Sequence, residues 1–247
     1  MKRPMEIRAA PRDWIGILRV AYPFLRNKEK IGDLVLFGSQ GLSIYMKSPL
    51  RSKDLDLLSG QVGPSQVDRL SGELGVLQNV EVRTSTVQTR MFGPRRMTTY
   101  AIELRVDGKP FIVELFDRIL DGQPPSVLQP YIERTKRWGL DIWAPDRDAT
   151  MALRLSFRQP EGMSRLNATR LNSFVQENLA SLRFNRVASI LKNWGTEGLV
   201  EKNLVDLYRR NRLRITGDNK ILPGIEEKLR QRLGSRVATF DADPPNG

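Results

Sequence analysis

Asp54 and Asp56 stand on either side of a single leucine, and Leu57 follows them. In a strand, residues i and i+2 point to the same face. Both carboxylates would then project together while Leu55 and Leu57 point to the core. Like charges this close repel unless a cation lies between them. Upstream, the apolar run Leu34-Val35-Leu36-Phe37 ends in Gly38-Ser39. A Gly-Ser turn after a strand leaves backbone N–H groups free to meet phosphate oxygens. Downstream, Glu114 interrupts the apolar run Phe111 to Phe116. An acid inside so apolar a strand is costly to bury unless it is paired or metal-bound. Asp117, at the end of that run, is the second candidate for a third acid. A phosphate cradle beside a paired-acid cation site suits metal-assisted chemistry on a phosphate ester.

Composition narrows that chemistry. The 247 residues contain no histidine and no cysteine. Disulfides, thiolate or imidazole zinc sites, and His-assisted nucleophiles are thereby excluded. Any catalytic metal must sit on oxygen ligands, which favours Mg²⁺ or Mn²⁺. The formal net charge is +12, so polyanions are expected partners: nucleotide triphosphates, nucleic acid or an acidic protein. No apolar stretch approaches the roughly 20 residues of a membrane helix. Arg19 breaks the N-terminal apolar segment, which argues against a secretory signal and for the cytoplasm.

The elements that must position these residues form a mixed α/β (α+β) pattern. Asp13 is a candidate N-cap for the helix beginning at Trp14, and Pro23 bends or ends that helix. Residues 33–37 read as a strand, Gln40 to Lys47 as a short helix, and Ser48 to Lys53 as a basic loop. A second strand covers 54–58, and a helix runs from Pro64 to about Leu74. Strands follow from Val80 through Val87 and from Thr98 to Val106, separated by a basic turn from Met91 to Arg96. Asp107-Gly108 then signals a hairpin into Phe111–Phe116. Gly122 to Pro130 is a boundary or crossing loop, and everything beyond it reads as helical, with a helix starting at Pro145-Asp146. Further helices are expected near 165–179, 181–193, 197–211 and 223–233. The expected organisation is a mixed-sheet core over 1–121, a basic helical domain over 122–240 and a disordered tail over 241–247. Trp138, Trp143 and Trp194 are candidates for base stacking or for core packing.

The ordered set Gly38-Ser39, Asp54-Leu55-Asp56 and Glu114 resembles the signature of the nucleotidyltransferase superfamily related to DNA polymerase beta, over residues 31–117. Ala144-Pro145-Asp146 with Met151-Ala152-Leu153-Arg154-Leu155 is most similar to the AbiE group, the nucleotidyltransferase toxins of type IV toxin–antitoxin systems. Arg154 stands where that group carries a lysine facing the active site; read without the resemblance, it is a surface residue of an amphipathic helix. The group's later aspartate has no clear match, and Asn172 lies in the corresponding segment.

The resemblance implies transfer of a nucleoside monophosphate from an NTP to a hydroxyl. Asp54, Asp56 and Glu114 would hold two Mg²⁺ (or Mn²⁺) ions as catalytic residues. Gly38, Ser39, Lys53 and Arg154 would bind the nucleotide, with Arg51 a further candidate. The acceptor would be RNA, notably a tRNA 3′-end, with an antitoxin protein as a possible partner. Alternatives are nucleotidylation of a protein Ser, Thr or Tyr, a small-molecule hydroxyl acceptor, and a non-catalytic protein that retains the fold and binds nucleic acid or a partner.

Overall fold

A computed structural model describes residues 10–157 and 165–209. The chain divides into two compact units, Met1–Asp146 and Arg147–Gly247.

The first unit opens with α1 (Pro11–Pro23). Pro11 takes the first helical position, where its missing N–H is not needed. Ala10 is the N-cap, and Asp13 sits three residues in, its Oδ2 accepting from Ala10 N at 3.0 Å. The aspartate expected as the cap therefore closes the helix start from inside. Beyond Pro23 the chain loosens into a single π-helical stretch, Phe24–Lys28.

Five strands form one sheet in the order β1-β2-β5-β4-β3. They are β1 (Val35–Leu36), β2 (Asp54–Leu58), β3 (Val80–Phe92), β4 (Arg95–Val106) and β5 (Lys109–Phe116). The pair β2–β5 is parallel; the others are antiparallel. Helix α2 (Gly38–Ile44) links β1 to β2, and α3 (Pro64–Gly75) links β2 to β3. The mixed α/β class expected from the sequence is the class observed. Alternation sorts the sheet's faces. Leu55, Leu57, Val113, Leu115, Ile102 and Leu104 are all at most 2% exposed and pack with Trp14, Leu18 and Leu70 of the helices.

Two expectations are corrected here. The basic stretch 91–96 is not a turn throughout: β3 and β4 pair from Val80↔Val106 to Phe92↔Arg95, leaving only Gly93 and Pro94 between them. Its residues are exposed except for the half-buried Phe92, so no hydrophobic alternation marks them. Residues 132–145 are not helical. They form a hairpin of β6 (Ile132–Arg137) and β7 (Leu140–Pro145), and the first compact unit takes them in. The chain reverses at Trp138 and Gly139, both with positive φ (52° and 78°), the backbone of a tight hairpin turn. A tryptophan in the first turn position hides that signal. Arg137 donates to Met46 O at 2.8 Å, and Tyr45 Oη donates to Pro145 O at 2.7 Å.

The second unit carries α4 (Arg147–Ser156), α5 (Arg165–Asn178), α6 (Phe184–Trp194) and α7 (Glu197–Arg209). Asp148, 2% exposed, accepts from Arg183 N at 3.0 Å, Arg183 Nε at 2.9 Å and Arg186 Nη1 at 2.9 Å. Asn203 Nδ2 donates to Leu155 O at 2.7 Å, tying α7 to α4. The expected helix at 223–233 and the tail 241–247 lie outside the described residues. Among those described, no helix is long and apolar enough to cross a membrane.

Candidate metal centre

Parallel pairing of β2 with β5 sets Asp56 beside Glu114 and Asp54 beside Ile112. Asp54, Asp56 and Glu114 share one face of the sheet for that reason. Each is half-buried, and one carboxylate oxygen from each lies within 4.8 Å of the others. At that distance two full charges repel by about 3 kcal/mol for an effective dielectric constant of about 20. Burial, first, and the nearby Asp54 charge, second, push the Glu114 carboxyl above its ordinary range; Lys53 and Arg90 pull partly the other way. Three carboxylates crowded on one side of an otherwise basic chain suit a hard divalent cation with oxygen ligands. Asp117, the alternative third acid, is occupied elsewhere: its Oδ1 accepts from Thr98 N at 2.6 Å.

Gly38 closes the site from below. Its φ is +65°, and a Cβ there would stand 2.6 Å from Asp56 Cγ and 2.9 Å from Asp56 Cβ. The Asp56 side chain fills the space that any other residue would need. Gly38 begins α2, whose first N–H groups have no acceptor within the helix.

Ser39 sits differently from its expected place. It is 3% exposed, and its Oγ lies 2.7 Å from Ser52 Oγ and 3.4 Å from Gln40 Oε1. Ser52, 1% exposed, donates in turn to Asp54 Oδ1 at 2.7 Å. Gln40 Nε2 donates to Asp54 O. The loop before β2 is pinned as well: Ser43 Oγ accepts from Leu50 N at 3.0 Å, and Trp14 Nε1 donates to Leu50 O at 2.9 Å. Lys53 and Arg51 are exposed. Arg154 belongs to the second unit and is 9% exposed, so it is not the surface residue that helical amphipathicity alone suggests. It donates to Asn167 Oδ1 and lies 5.9 Å from the Phe157 ring centre.

Sequence reasoning passed over Ser52, Gln40 and Arg90. Ser52 carried a signal, standing two residues before Asp54. Gln40 and Arg90 did not, because only the α2 orientation and the β3–β4–β5 register bring them to the acids. The tryptophans serve packing: Trp14 and Trp138 meet edge to face with ring centres 4.9 Å apart, Trp143 lies 5.7 Å from the Arg26 guanidinium, and Trp194 is 5% exposed.

No protein-family profile and no curated protein matches the chain. Among solved structures, it is similar to an H. pylori protein described as a candidate nucleotidyltransferase (13% identity, TM-score 0.49, 94% of this chain and 96% of that one). It is also similar to an antigenic nucleotidyltransferase-like protein from Paracoccidioides brasiliensis (18% identity, TM-score 0.43, 82% and 94%). A third is the Megavirus polyadenylate synthase (13% identity, TM-score 0.35, 96% and 45%). With TM-scores of 0.35 to 0.49, function has to be read from the site itself.

Proposed function

We propose that this protein is a metal-dependent nucleotidyltransferase, moving a nucleoside monophosphate from an NTP to a hydroxyl acceptor. The convergence of Asp54, Asp56 and Glu114 carries the reading. A binding module for polyanions has no use for three acids that would repel phosphate. These three carboxylates would hold Mg²⁺ or Mn²⁺ as the catalytic residues. Such a cation lowers the pKa of an attacking hydroxyl and offsets charge on the departing pyrophosphate.

The chain's own residues supply the rest. The backbone at Gly38 and Ser39 offers N–H donors to the triphosphate, and Lys53 offers positive charge to it. Glu114, whose carboxyl burial and the Asp54 charge raise above its ordinary range, feels the opposing charges of Lys53 and Arg90. A net charge of +12 supports an RNA end, such as a tRNA 3′-end, as the acceptor. The toxin role and an antitoxin partner rest on the AbiE-like segment 144–155.

Label transfer tests this reading. The protein is incubated with Mg²⁺ or Mn²⁺, each α-³²P-labelled NTP in turn, and total RNA or cell extract, beside an Asp54→Ala/Asp56→Ala variant. Label should appear on RNA and vanish in the variant. Label on protein would move the acceptor to a side-chain hydroxyl. Neither transfer nor NTP binding would leave a non-catalytic protein.

A further inference from the structure

Two buried hydroxyls stand behind Asp54, and their protons can be placed. This inference rests on the metal-dependent reading above. A serine hydroxyl has one proton. Ser52 commits its proton to Asp54 Oδ1 at 2.7 Å. In the 2.7 Å contact between the two hydroxyls, Ser39 is then the donor, and its other acceptor, Gln40 Oε1, lies farther off at 3.4 Å.

We propose that Ser39 and Ser52 form a directional relay, Ser39 to Ser52 to Asp54, that fixes the Asp54 carboxylate for the cation. Both are positioning residues. The frame around them is rigid. Ser43 Oγ donates to Ser39 O at 2.8 Å, Leu50 N donates to Ser43 Oγ at 3.0 Å, and Gln40 Nε2 holds the Asp54 carbonyl. Helix α2, the loop before β2 and β2 itself are thereby locked in one arrangement. A hydrogen bond to a ligating carboxylate sets its orientation, and its removal costs about 10–100-fold in metal affinity or activity.

The test measures Mn²⁺ affinity by electron paramagnetic resonance on the full chain, together with NTP KM in the transfer assay. Ser52→Ala should weaken Mn²⁺ binding about 10–100-fold and leave NTP KM unchanged at saturating Mn²⁺. Ser39→Ala should weaken Mn²⁺ binding in the same direction but less. The double variant should bind no worse than Ser52→Ala, since Ser39 acts through Ser52. Should Ser52→Ala fail to fold, Ser52→Cys, of similar size but a weak donor, decides by the same affinity. Wild-type Mn²⁺ affinity in the folded Ser52 variant overturns the relay. So does a Ser39→Ala variant that raises NTP KM with Mn²⁺ affinity intact, the mark of a direct phosphate contact. A wild-type chain that binds Mn²⁺ no better than Asp54→Asn overturns the metal reading itself and the relay with it.

Discussion

Gly38 and Asp56 compete for one volume. A methyl group at 38 would displace the Asp56 carboxylate, and φ of +65° would strain any residue but glycine there. Gly38→Ala should cost more than about 1 kcal/mol of stability and weaken Mn²⁺ binding; chemical denaturation and resonance titration would check both. Glu114 supplies a prediction about pH. Its carboxyl is held above the ordinary range by burial and by Asp54. Between its unfolded and folded pKa values, the folded chain binds more protons than the unfolded one. Without metal, stability should therefore fall as pH rises through that window. Glu114→Gln removes the charge, so in chelator at pH 7 it should melt above wild type, and added Mn²⁺ should reverse the order. A wild-type chain melting higher in chelator would contradict the desolvation account.

Strand pairing decides which acids meet. Asp56 faces Glu114 because β2 and β5 run parallel in register, with Leu55 opposite Val113 on the buried side. A slip of one residue would turn every side chain of β2 to the other face. A helix ties other parts of the same unit together. Tyr22 Oη on α1 donates to Leu34 O at 3.3 Å and accepts from Trp143 N at 2.8 Å, joining the approach to β1 with β7. Tyr22→Phe removes both bonds and leaves the buried Leu34 carbonyl short of a partner, at a cost of about 1–3 kcal/mol. Denaturant unfolding should show that loss, while Mn²⁺ affinity in the folded protein should stay at the wild-type value.

Over the whole molecule, the chain divides into two compact units, and the three acids belong to the first, Met1–Asp146. The second unit has its own buried charge, Asp148 between Arg183 and Arg186. Asp148→Asn should lower stability by about 1.5–3 kcal/mol, read by calorimetry, and leave Mn²⁺ binding intact. The +12 net charge acts at this scale as well. Any polyanion that this charge attracts should be released steeply as salt rises.

The sequence by itself narrowed the metal chemistry open to this chain. With no histidine or cysteine, only oxygen ligands remained, and an Asp-x-Asp pair with Glu114 in an apolar run named the acids. Those features are local, because alternation and residue type are properties of neighbours in the chain. The sheet class was equally legible, since the apolar runs and the Asp107-Gly108 turn are local signals. Tertiary structure alone decided the register that joins Asp56 to Glu114 and the inward placing of Ser39 against Ser52. It alone decided the β6–β7 hairpin, whose turn is disguised by Trp138. Each depends on contacts between residues far apart in sequence, where hydrogen-bond partners and burial are fixed by packing and not by local propensity.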